Sequence, residues 1–168
     1  MPLTELDMAV LKTVATYYVL TREQVQSLCC AEHASGRGTR KRLSRLGQAG
    51  YIIKHRVPVA LPSTNGAAPV YYPTKKGCEA LASYFDDERF YATNTKNPRA
   101  DRLSHWIASN TTRILVEKAI ERLPNVDLIR WINEWETVNK GDSKSDQFCL
   151  HHTLYAHKAS FCIPQHPC

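Results

Sequence analysis

The sequence predicts an α+β fold, mainly α, and three observations carry that expectation. Apolar residues recur at helical spacing in several separate stretches. Two β-prone runs, Tyr51–Val57 and Val70–Pro73, flank a segment rich in Pro, Gly, Ser and Asn, which is the pattern of a hairpin with a long tip. A third stretch, from Leu103 to Leu123, contains neither Pro nor Gly and is stopped by Pro124, as one long helix would be. The chain has 168 residues, of which 43% are hydrophobic and 23% charged, a globular balance that excludes wholesale disorder. No run of 18 apolar residues exists, and Met1-Pro2-Leu3-Thr4 lacks a basic region followed by an apolar stretch. A soluble, cytoplasmic protein without a membrane partner is therefore expected.

Thr4 reads as the cap of a first helix, with Glu5 and Asp7 in its first turn and Leu6, Val10, Val14 and Tyr17 as its buried stripe. Tyr17-Tyr18-Val19-Leu20 is β-prone but long enough only for a bridging strand. Thr21-Arg22-Glu23-Gln24 is a capping box that opens a second helix with Val25, Leu28 and Cys29 on its apolar side. Glu32 to Gly36 forms a turn with Ser35 as candidate cap, and the third helix runs to about Ala49 and stops at Gly50. After the hairpin, Thr74 caps a fourth helix from Lys75 to about Tyr84. The order helix, short strand, helix, helix, strand, strand, helix is that of a winged helix-turn-helix.

The domain reading places this winged helix-turn-helix in residues 1–84, a linker at 85–102, and a long helix plus a strand at 103–138. The strand is read over Val126–Ile132, and this second region serves as a dimerisation element or a small, truncated α/β domain. Residues 139–168 form a His- and Cys-rich tail expected to be poorly ordered. The apolar residues of the long helix cover more than one face, so a homodimer through 103–123 is expected. Six cysteines include no CxxC pair, so no disulfide framework is expected, and Cys29, Cys30 and Cys78 read as small semi-buried helix residues.

The charge is unevenly placed. Residues 1–84 hold 11 Lys or Arg against 5 Asp or Glu, whereas residues 85–168 hold 11 of each sign, so the whole excess of +6 lies in the first half. Arg37, Arg40, Lys41, Arg42, Arg45, Lys54 and Arg56 occur with no acid among them, the electrostatic footprint of a polyanion binder. At 100° per residue, Thr39, Leu43, Leu46 and Gly50 gather on one side of the third helix. Arg37, Lys41, Ser44 and Gln48 lie opposite, flanked by Arg40 and Arg45. Arg can pair guanine, Gln can pair adenine, and Lys and Ser reach phosphates or base edges. The expected double-stranded DNA contacts are therefore Arg37, Arg40, Lys41, Arg42, Ser44, Arg45 and Gln48 on this helix, Lys54 and Arg56 on the wing, and Lys75 after it.

Tyr71-Tyr72-Pro73-Thr74-Lys75-Lys76-Gly77 through Leu81, with Arg40-Lys41-Arg42-Leu43-Ser44-Arg45-Leu46 and Gly50-Tyr51-Ile52, resembles the winged-helix regulators of the MarR-like group over residues 4–84. His105-Trp106, Asn110, Trp131 and Glu134 resemble the bacterial replication-relaxation family. That resemblance implies an N-terminal winged helix ahead of a second α/β region, and a role in plasmid replication or DNA relaxation on plasmids and integrated elements. The family's second region extends further than Val126–Glu136, and the tail from His151 fits no pattern expected there.

Other chemistries find less support in the residues. Glu134, Glu136, Asp142 and Asp146 follow the predicted strand as nuclease carboxylates can, with Lys140 or Lys144 nearby, but no compact acid–Glu-x-Lys signature is present. His151, His152, His157, Cys162, His166 and Cys168 are zinc-type ligands whose spacing matches no familiar finger or ribbon, so no metal is expected. Gly36-Arg37-Gly38 lacks the preceding strand of a dinucleotide motif, and no cofactor is expected. The expected function is sequence-specific duplex binding, without enzyme chemistry, in plasmid replication or transcription regulation. The alternatives are a protein-interaction winged helix and a nuclease-like DNA-processing protein with a truncated second domain.

Overall fold

The computed structural model describes residues 2–30, 35–56, 69–133, 153–156 and 159–162. Thr4 begins helix α1 (Glu5–Tyr17) with a reciprocal cap. Its hydroxyl accepts from the Asp7 amide at 3.3 Å, and its own amide donates to the Asp7 carboxylate at 2.9 Å. After β1 (Leu20–Thr21), Thr21 and Gln24 repeat the device at the start of α2 (Arg22–Cys29). Helix α3 (Arg37–Gln48) is capped by Gly36 and not by the expected Ser35. The chain there takes a left-handed backbone (φ 58°) and passes so close to α2 that a Cβ on Gly36 would sit 2.3 Å from Gln26 Oε1. Strands β2 (Ile52–Arg56) and β3 (Pro69–Pro73) form the expected hairpin, and Thr74 caps α4 (Lys75–Phe85). The predicted hairpin tip lies outside the described residues.

The three strands make one antiparallel sheet in the order β1-β3-β2, with Leu20 opposite Tyr71 and Lys54 also opposite Tyr71 on the other side. Helices α1, α2 and α3 close over it. Val10, Leu11, Val14, Leu20, Val25, Leu43, Leu46, Ile52, Tyr71 and Leu81 form the core, each almost without solvent exposure. Burial of each such aliphatic side chain contributes roughly 1.5–3 kcal/mol, which makes this cluster the main source of the fold's stability. Element order and sheet together give the winged-helix arrangement, in an α+β protein that is mainly helical.

The segment 85–102 differs from a plain linker. It holds two short 3₁₀ turns, Glu88–Ala92 and Ala100–Arg102. Phe90 packs against the core, Pro98 is buried, and Tyr72 and Tyr18 donate their hydroxyl protons to Asn97 Oδ1 and the Lys96 carbonyl. Helix α5 (Leu103–Ile120) stops short of the expected Leu123, and the chain turns over Glu121 and Arg122. The helix belongs to the same compact unit as the winged helix, Met1–Pro124, and not to a separate second region. Gln24 binds it directly: its Nε2 donates to the Ile107 carbonyl at 2.9 Å and to Thr111 Oγ1 at 3.0 Å.

The second unit is Asn125–Cys168. Its described residues 125–133 contain no strand, against the expectation for Val126–Ile132, whose alternation is only partial and which pairs with no other described segment. Strands β4 (Thr153–Ala156) and β5 (Ala159–Cys162) pair antiparallel, with Thr153 opposite Cys162, inside the tail for which no element was expected. Each strand has four residues, too few for a periodic signal in a His- and Cys-rich background.

Candidate nucleic-acid interface

Helix α3 presents the outer face that its periodicity predicts. Thr39, Leu43 and Leu46 are buried, while Arg37, Arg40, Lys41, Ser44 and Gln48 are exposed. Lys54 and Arg56 are exposed on β2, two residues apart and so on one face of the strand. Between helix and hairpin runs an open groove of about 660 Å³, lined on one side by Arg40, Ser44 and Gln48 and on the other by Lys54 and Ile53. Among the described residues, Arg37, Arg40, Lys41, Lys54 and Arg56 have no acidic partner. A concentration of uncompensated cations along a helix and an adjacent hairpin sets up a positive potential over the groove.

Two predicted contacts sit elsewhere. Arg42 and Arg45, three residues apart on one flank of α3, both turn to Asp7 of α1. Arg42 Nη1 lies 3.0 Å from Oδ1, and Arg45 Nη2 binds Oδ2. Asp7 has no exposure at all, and the Thr4 amide and hydroxyl donate to its Oδ2 as well. An isolated carboxylate in that position would cost several kcal/mol. Two guanidiniums, two Thr4 donors and the N-terminal end of α1 offset that cost. The two arginines are thus partners of a buried acid and not part of the outer row.

Lys75 stands exposed at the first turn of α4, 3.8 Å from Glu79, an arrangement worth little in water. Its neighbour Lys76 closes the far end of α3: Nζ donates to the Ala49 carbonyl at 2.7 Å and lies 4.7 Å from the centre of the Tyr51 ring. The sequence reading missed Asp7 as more than a first-turn acid. The Thr4-x-x-Asp7 spacing signals the reciprocal cap, but no local pattern signals partners 35 and 38 residues away.

Trp106 and Asn110 also take up positions that the sequence does not reveal. Trp106 packs edge-on against Tyr18 with ring centroids 5.4 Å apart. Asn110 is buried and its Nδ2 donates to the carbonyls of Tyr17 and Val19 at 3.1 and 2.6 Å. Both residues brace the winged helix and neither lines the groove. The carboxylates Glu134, Glu136, Asp142 and Asp146, and the tail residues His151, His152, His157, His166 and Cys168, lie outside the described residues, as does the side chain of Cys162. Among the described residues no three His, Cys, Asp or Glu side chains gather as a metal site, and no helix is long and apolar enough to cross a membrane.

A winged helix with a cationic groove between its third helix and its hairpin, braced by a long fifth helix, is the class of protein that fold and site define. Residues 11–161 match the family described as Replication-relaxation, so the chain belongs to that family. The match reaches well into the tail for which no family pattern was expected. No curated protein and no solved structure matches the chain.

Proposed function

We propose that this protein binds double-stranded DNA through α3 and the β2–β3 hairpin, as a cytoplasmic, non-enzymatic component of plasmid or mobile-element replication. The observation that carries the reading is the exposed set of Arg37, Arg40, Lys41, Ser44 and Gln48 on α3, of which Arg40, Ser44 and Gln48 line the groove opposite Lys54, with no acid in its lining and Arg56 exposed on the same strand face as Lys54. One helix fits a major groove, with Gln48 and Ser44 placed to read base edges while the cations hold phosphates. Membership of the replication-relaxation family supports the replication role, and the same module would serve transcription regulation.

A homodimer through α5 is part of the proposal, because one winged helix covers only a short half-site. The charge pattern of the helix supports it. Arg113, Glu117 and Lys118 all turn toward α1 and α2: Arg113 lies over the Tyr17 ring, Glu117 accepts from the Tyr17 hydroxyl, and Lys118 Nζ lies 2.5 Å from Ser27 Oγ. The exposed side, with Ala108, Thr112, Leu115 and Ala119, carries no charge. A second copy would bury that side.

The test is fluorescence anisotropy with a duplex across a salt series. About five phosphate contacts give a log–log slope near −4 to −5. Arg40→Glu should abolish binding while leaving the circular dichroism spectrum unchanged. Absence of binding by the wild type at low salt would sink the proposal in favour of a protein-docking role for the basic face.

A further inference from the structure

The basic stretch of α3 contains five cations, yet only three of them, Arg37, Arg40 and Lys41, belong to its outer row. The other two share one carboxylate. Asp7 is fully buried and anchored by the Thr4 amide (2.9 Å) and hydroxyl (2.7 Å), so it is the fixed end of both ion pairs. Arg42 and Arg45 are the movable ends: about a third of each side chain is exposed, at 29% and 33%.

We infer that Asp7 sets DNA specificity as a positioning residue, by holding two guanidiniums away from phosphate. The inference rests on the DNA-binding reading above. A carboxylate and a phosphate each present a pair of anionic oxygens that match the guanidinium fork, so they compete for an arginine. Phosphate contacts strengthen binding to every sequence alike, whereas base contacts discriminate. Two further arginines on the backbone would therefore raise affinity for random DNA without adding any readout. The same clamp fixes the rotation of α3 about its axis, because Arg42 and Arg45 lie one turn apart on the flank facing α1. That rotation keeps Ser44 and Gln48 pointed outward.

The test measures salt slopes on a random-sequence duplex for four proteins, each checked for folding by circular dichroism. Asp7→Asn removes the charge and keeps the size. Its slope should steepen by about one to two units, since each released guanidinium that reaches a phosphate adds about 0.9. Its affinity for random duplex should rise accordingly. A purely structural Asp7 would instead lower affinity with no steeper slope. Arg42→Gln leaves Arg45 on Asp7, so the fold is kept and the wild-type slope should be retained, while Arg40→Gln should lose about one unit. Should Asp7→Asn fail to fold, the comparison of Arg42→Gln with Arg40→Gln decides alone. Equal losses from those two variants, or a folded Asp7→Asn with the wild-type slope, would overturn the inference and leave the DNA-binding reading standing. A wild type that binds no duplex would overturn that reading, and this inference with it.

Discussion

Asn110 straddles Tyr18. From the middle of α5 its Nδ2 donates to the carbonyls on either side of that residue, Tyr17 O and Val19 O, while Tyr18 holds a left-handed backbone (φ 66°, ψ −59°) and the Val19 amide closes back on Tyr17 O at 2.8 Å. This is a tight three-residue turn that L-residues rarely adopt, at a cost of order 1–3 kcal/mol. It turns the chain from α1 into the sheet. The surroundings hold it in place: Trp106 against the Tyr18 ring, the Lys96 carbonyl on its hydroxyl, and Asn110 across the turn. Trp106 and Asn110, two of the residues through which the sequence resembles the replication-relaxation family, therefore brace the turn that leads from α1 into the sheet.

Asn110→Ala should destabilise the protein by roughly 1–3 kcal/mol, because it takes the buried amide donor from the Val19 carbonyl and leaves the Tyr17 carbonyl with only the Val19 amide. Urea denaturation should show a lower midpoint with an unchanged slope. A midpoint within error of the wild type would mean that the turn holds without its brace.

The outer row of α3 was legible in the sequence because amphipathic periodicity is local: Leu43 and Leu46 must face the core, and that alone fixes where Lys41 and Gln48 point. The fate of Arg42 and Arg45 was not legible, since their partner lies in α1 and only the packed fold brings it near. The same limit explains Asn110, whose acceptors are more than 90 residues away. The segment 85–102 looked like a linker for lack of periodicity, yet irregular backbone can pack well when single residues such as Phe90 and Pro98 find pockets.

Gln48→Ala should separate base reading from phosphate contact. Gln48 is exposed beside the groove and uncharged, so its loss should leave the salt slope unchanged. It should weaken binding only to the preferred sequence, by about 1–3 kcal/mol, once selection from a random duplex library has found that sequence. Equal weakening on all duplexes would remove Gln48 from the reading face.

Two glycine-to-alanine changes should move stability in opposite directions. A Cβ on Gly77 would meet the Tyr51 carbonyl oxygen at 2.2 Å, where α4 passes the strand entry. Gly77→Ala should cost about 1–3 kcal/mol through a forced backbone shift. Gly38 lies exposed within α3 with nothing within 4 Å of its Cβ position. Gly38→Ala should gain about 0.5–1 kcal/mol from helix propensity. Thermal melts of both variants check the pair, and a Gly77→Ala melt at the wild-type temperature would contradict the close approach of α4 to Tyr51.

Leu115 is 63% exposed in the uncharged side of α5, with Ala108, Thr112 and Ala119 beside it at helical spacing. If the proposed dimer forms through α5, Leu115→Glu would place a charge at the centre of its twofold contact, facing its own copy, where desolvation and repulsion act together. Light scattering coupled to size exclusion should then report the wild type at twice the 19.1 kDa chain mass and the variant at the chain mass. The variant's melting temperature, taken at low concentration where both are dissociated, should stay close to the wild type, because most of the Leu115 surface faces solvent within its own chain. Equal masses for the two proteins would remove α5 as the dimer interface, and a monomeric wild type would leave the winged helix to read its half-site alone.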